Sequence, residues 1–159
     1  MLIRKTLIKF LNKSNDPILK LGEKGSFDWA GIMPTEIVTV GNKKFLYYIG
    51  WSLRMDVPYH NNLGLAISDD NGETWEKFSK GPVLSTSYKE PGYIGTVSIM
   101  IEDGLWCMWY LSCLDWVESE YGMEPTYDIK YATSTNGVDW YPTGITCIPL
   151  DGDEGGISA

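Results

Sequence analysis

The chain has 159 residues, with 13 basic and 21 acidic side chains, a net charge of −8 and a single histidine. That length suits one domain, and the acidic balance argues against nucleic acid as a partner. No run of about 18 apolar residues occurs, so no membrane-spanning helix is expected. Seven Trp and ten Tyr are a large share of so short a chain; such rings either stack on sugar faces or fill a β core. Cys107, Cys113 and Cys147 show no metal-ligand spacing and read as thiols of a reducing compartment, with no metal held through sulfur.

From the start, Met1-Leu-Ile-Arg-Lys-Thr-Leu-Ile-Lys-Phe-Leu11 has the basic opening of a signal peptide. Lys9 and Lys13 break the apolar run and no small-residue cleavage site follows, so a cytoplasmic protein is expected. Residues 14–30 are expected to hold one strand, around Ile18, Leu19 and Leu21, followed by a Gly-rich loop. Residues 31–84 form a first repeat unit. It has a strand over 37–40, a turn at Gly41-Asn42, an aromatic strand over 45–50, a long loop, and then Leu63-Gly-Leu-Ala-Ile-Ser-Asp-Asp-Asn-Gly-Glu-Thr-Trp75. In that last stretch Leu63, Leu65 and Ile67 alternate at strand period and turn residues follow, which reads as strand, hairpin turn, strand.

Residues 92–150 repeat this order. A strand over 97–101, a turn at Asp103-Gly104 and a strand over 106–111 lead through a longer loop into Ile129-Lys-Tyr-Ala-Thr-Ser-Thr-Asn-Gly-Val-Asp-Trp140. Tyr48 aligns with Tyr110, Ser68 with Ser134 and Trp75 with Trp140. Four strands per repeat is the signature of a propeller blade. The expected fold is therefore all-β: a partial β-propeller of two four-stranded antiparallel blades plus an extra N-terminal strand, with residues 151–159 approaching a missing blade. Gly81-Pro-Val-Leu84 and Cys147-Ile-Pro-Leu150 read as the ends of outer strands.

The turn Ser68-x-Asp70-x-Gly72-x-Thr74-Trp75 resembles the Asp-box of sialidase-type propellers, and Ser134 to Trp140, with Asn136 and Gly137 at its centre, resembles a degenerate copy. Every residue type in it serves the turn, since Asp or Asn bonds its own backbone, Gly supplies positive φ, and Trp packs over the top. The motif therefore speaks for architecture.

Over roughly residues 14–159 the chain resembles five-bladed β-propeller proteins related to glycoside hydrolase families 32 and 43. The resemblance rests on Gly25-Ser-Phe-Asp-Trp-Ala-Gly-Ile-Met-Pro34, Phe45-Leu-Tyr-Tyr-Ile-Gly-Trp51, Gly64-Leu-Ala-Ile-Ser-Asp-Asp-Asn-Gly72, Trp106-Cys-Met-Trp-Tyr110 and Asp128-Ile-Lys-Tyr-Ala132. It implies carboxylates around a central channel acting as acid and base. The family 43 base commonly sits in an Asp-Pro step, but here the step is Met33-Pro34, and Thr96 stands where a second Asp is expected. Asp28, in the loop before the first strand, and Glu90, before Pro91, are the nearest catalytic candidates. Asp28 reads also, and more simply, as a cap on the Gly-rich turn, and Glu90 equally as a solvated loop acid.

Trp51, Arg54, His60 and Trp116 are candidates for binding substrate, since rings beside charged groups suit sugar faces and hydroxyls; a subunit interface would use the same residues. A lone His60 without a Cys or Asp cluster gives no metal site. No phosphate loop, Ser/His/Asp set or nucleotide fingerprint occurs, so no cofactor is expected. Two readings stay open: a carbohydrate-active half-propeller working on glycosides as an oligomer, or a non-catalytic ligand-binding module. Two blades leave an apolar face at each end, so a homo-oligomer, dimer or trimer, is expected, with a sugar ligand on its axis.

Overall fold

The computed structural model describes residues 16–151. The basic stretch 1–11 and the ending 152–159, on which the expectations of localisation and of a missing blade rest, lie outside them. Eight strands follow in order: β1 (Gly31–Val40), β2 (Lys43–Ser52), β3 (His60–Ser68), β4 (Glu76–Lys77), β5 (Ile94–Glu102), β6 (Leu105–Ser119), β7 (Gly122–Ser134) and β8 (Tyr141–Ile148). They form two four-stranded antiparallel sheets, β1-β2-β3-β4 and β5-β6-β7-β8. The two blades expected from the repeat are therefore present, and no helix occurs among the described residues.

The blades stack because alternate residues of each aromatic strand point to opposite faces. Phe45, Tyr47, Leu63 and Leu65 of the first blade meet Ile99, Trp106, Met108, Tyr110 and Trp140 of the second in one buried cluster. Tyr47 spans the junction, donating its hydroxyl to the Gly137 carbonyl at 2.6 Å. Both partners are buried, so that bond ties a strand of one blade to a turn of the other.

Three expectations need correction. Ile18 to Leu21 form no strand. The segment lies over a sheet face instead of along a free edge, with Leu19 and Phe27 packing on Leu46, Tyr48 and Ala66. The apolar faces at the two ends are consequently unlike: the first blade's is covered by its own chain, whereas the second blade's carries partly exposed Met100, Trp109 and Tyr131. Trp109 is the repeat equivalent of Tyr47, the residue that bridges the blades. The longer loop expected between the strand over 106–111 and Ile129 is instead a β-hairpin, in which β6 and β7 stay paired from Asp115↔Thr126 to Ser119↔Gly122. Finally, the outer ladder of the first blade is split. Glu76 and Lys77 pair with Ile67 and Ala66, and the chain returns to β3 only where Val83 donates to the Leu63 carbonyl at 2.8 Å.

Candidate functional site: a cleft between the blades

The turns can be set aside first, because their hydrogen bonds close on themselves. Ser68 Oγ donates to Asp70 Oδ1 at 2.7 Å and accepts from the Gly72 amide at 2.8 Å. Asp70 accepts from both the amide and hydroxyl of Thr74, and the Trp75 indole donates to the Gly72 carbonyl. Gly72 has φ of +97°, which a residue with Cβ adopts only under strain. Thr74, followed by Ser68, holds the Asp70 carboxyl well below the ordinary carboxylate range. In the second copy Asn136 replaces the carboxylate and its Oδ1 accepts from the amides of Val138 and Asp139, each at 2.9 Å. Gly137, at φ +73°, lies against Trp106, and Trp140 is buried in the junction.

Asp28 and Glu90 occupy equivalent places in the two blades. Each precedes by 20 positions the tyrosine that binds it. Asp28, 2% exposed, accepts from the Tyr48 hydroxyl at 3.1 Å and from Ser26 at 2.9 Å, and pairs with the Lys77 ammonium. Glu90, 8% exposed, accepts from Tyr110 at 3.0 and 2.8 Å and from Ser112 at 3.2 Å, with Lys130 at 3.9 Å. Burial and then the neighbouring carboxylate push both tyrosine hydroxyls far above their usual range, so they remain donors. The ammonium reaches the acid by different routes. In the first blade Gly64 lies opposite Tyr48, where a Cβ would collide with the phenol, and β4 supplies Lys77; in the second blade Lys130 itself stands opposite Tyr110.

The two acids share no hydrogen-bond partner, and neither lines the cleft between the blades. That cleft, about 580 Å³, opens where β1 and β5 run beside each other. Met33 and Thr96, the residues found in place of the expected acids, both line it, together with Trp51, Tyr59, Tyr93 and Tyr127. Tyr59 is the hub of the rings, lying 4.7 Å from Trp51, 5.6 Å from Tyr93 and 5.2 Å from Trp116 between centroids. Burial pushes the Tyr93 hydroxyl well up, with Tyr59 adding to it.

Two residues of the lining carry a buried polar atom without a partner. Asn61, 3% exposed at the head of β3, has an unbonded Oδ1, and Thr96 has an unbonded buried Oγ1. Asp128 Oδ1 and the Trp140 indole, outside the lining, are likewise unpartnered; on the lining such an atom is a point where a water or a guest would add a bond. The one carboxylate on the lining is Glu124, brought in by the β6-β7 hairpin.

Of the other binding candidates, Trp51 lines the cleft and Trp116 backs it through Tyr59 and Tyr93. Arg54 does not reach it; its guanidinium grips Asp56 at 2.9 and 2.8 Å on the surface. His60 begins β3 beside Asn61, and burial followed by the Arg54 charge lowers its pKa. Tyr59, Asn61, Tyr93 and Glu124 were not singled out by sequence. Two consecutive Asn opening an otherwise apolar strand were the available signal. Among the described residues no group of three or more His, Cys, Asp or Glu is placed to hold a metal, and no helix is long and apolar enough to cross a membrane.

No family model matches the chain. Two Mycobacterium tuberculosis proteins, Rv1502 of strain H37Rv and MT1551 of strain CDC 1551, are each 36% identical to it over 132 residues. The match takes in 83% of this chain and 43% of theirs, so the chain spans less than half the length of these relatives. Among solved structures, one described as a glycoside hydrolase superposes with a TM-score of 0.61 at 18% identity, covering 88% of this chain and 40% of that one. A putative glycosidase of Bacteroides thetaiotaomicron gives 0.60 at 18%, covering 82% and 40%. The GH32 β-fructofuranosidase BmSUC1 of Bombyx mori gives 0.54 at 20%, covering 67% and 21%. At these identities the likeness concerns fold, and the chain carries two blades of the propeller-like fold of glycoside-hydrolase proteins.

Proposed function

We propose that this chain recognises carbohydrate in the inter-blade cleft and that, as a two-blade unit, it does so without hydrolysing it. The observation that carries this reading is the pair of unpartnered polar atoms, Asn61 Oδ1 and Thr96 Oγ1, set among Trp51, Tyr59 and Tyr127. A sugar ring supplies both requirements: apolar C–H faces for the rings, and hydroxyls that donate to Asn61 and exchange bonds with Thr96. Two-carboxylate hydrolysis needs a pair of acids about 5–9.5 Å apart across the bond. Met33 and Thr96 stand where the family resemblance puts carboxylates, and Asp28 and Glu90 are held inside their own blades. On this reading those two acids stabilise the blades.

A second reading keeps catalysis and assigns it to an assembly in which another subunit adds an acid. The partly exposed Met100, Trp109 and Tyr131 face of the second blade favours it, since that surface suits a further β layer. Turnover of an aryl-glycoside panel, alongside saccharide binding followed by tryptophan fluorescence, separates the two. The proposal expects binding without turnover. Turnover that Asp28→Asn abolishes, in protein shown to remain folded, would favour the enzyme.

A further inference from the structure

Resting on the reading of the cleft as a carbohydrate site, we infer that its ligand is a cationic amino sugar, a glycan with a free amine, and not an acidic one. Charge supports this from two directions. First, the cleft lining contains Glu124 and no Lys, Arg or His. Second, the β6-β7 hairpin that forms one wall carries Asp115, Glu118, Glu120 and Glu124 without a basic residue between Cys113 and Ile129. Among the described residues none of the four enters an ion pair. Of the basic groups flanking the lining, Arg54 is engaged by Asp56 and Lys130 by Glu90, and burial favours the neutral form of His60. A uronate or sialate entering here would meet carboxylates with no counter-charge, whereas an ammonium would meet attraction throughout.

The other groups fit the same ligand. Asn61 Oδ1, buried and without a donor, needs an N–H or O–H, and an ammonium provides three. Trp51, Tyr59 and Tyr127 put aromatic rings on the lining, and rings attract amines. The acidic hairpin alone would be an ordinary solvated surface. The unsatisfied buried amide beside it points to a donor-bearing guest.

The test is calorimetric titration of the full chain with three oligomers of equal length: β-linked glucosamine with free amines, its N-acetylated form, and galacturonate. The inference expects the free amine to bind about tenfold more tightly than the N-acetyl form, galacturonate not to bind, and Glu124→Gln to remove the preference for the amine. Equal or tighter binding of the N-acetyl form, or any preference for galacturonate, overturns the inference and leaves the cleft as a carbohydrate site. Binding of none of these oligomers, nor of a neutral glucan or mannan, overturns the carbohydrate reading and the inference with it.

Discussion

The acid–tyrosine couples inside the blades and the cleft between them are both polar sites in an aromatic β protein, and they differ in whether the chain completes its own hydrogen bonds. Asp28 and Glu90 each have two hydroxyl donors and an ammonium. Asn61 Oδ1 and Thr96 Oγ1 have none. A buried acid is a natural catalytic suspect, yet a fully satisfied one reports on stability. The unfinished group is where a guest would add a bond, which is why the proposed binding site is the cleft.

Breaking the couples gives the largest expected effect. Asp28→Ala strands the Lys77 ammonium and the Tyr48 hydroxyl, and should lower unfolding free energy by about 3 kcal/mol in urea titration. Glu90→Ala should cost somewhat less, about 2 kcal/mol, because Lys130 stands farther from the acid than Lys77 does. A loss below about 0.5 kcal/mol for both would remove the structural reading of these acids.

Next come the turn and the junction. Gly72→Val should cost about 1–3 kcal/mol through its positive φ, while exposed Glu73→Val stays within about 0.5 kcal/mol; equal melting shifts would contradict the turn geometry. Tyr47→Phe removes the bond to Gly137 and should cost about 1–2 kcal/mol, leaving a buried carbonyl unpaired.

Asp70 gives a smaller, pH-dependent effect. Its folded pKa is depressed, so its contribution is present above the unfolded value of about 3.9 and is lost as pH falls through the lower folded value. Asp70→Asn should therefore flatten the acid limb of a stability profile below about pH 4 and leave its slope near neutrality unchanged. An identical acid limb in both proteins would contradict the turn's electrostatics.

What the sequence made legible was local. Alternation in 63–67, the Asn71-Gly72 turn chemistry and the recurrence of Ser, Gly and Trp define hairpins within a few residues, and the blade repeat follows from them. What it hid depends on distant partners. Lys77 reaches Asp28 across 49 positions, and Tyr47 reaches Gly137 across 90. Leu19 resembled a strand residue because apolar alternation says nothing about whether a segment pairs at an edge or lies on a face. The 115–124 hairpin was obscured by its acids, although Gly122, with φ of +113°, marks its tip. Asn61 was unreadable for another reason, since having no partner is a property of the folded surroundings.

The smallest stability effect carries the most direct test. Thr96→Val removes an unpartnered hydroxyl with almost no change in shape, so it should leave stability unchanged or slightly raised, within about 0.5 kcal/mol. Saccharide titration of this variant beside Asp28→Asn, with affinity and unfolding free energy measured on both, tests the division between the two sites. Thr96→Val should weaken binding about tenfold without loss of stability, and Asp28→Asn should lose stability while its folded fraction binds as the wild type does. Unchanged affinity in Thr96→Val, with lost affinity in folded Asp28→Asn, would contradict that division.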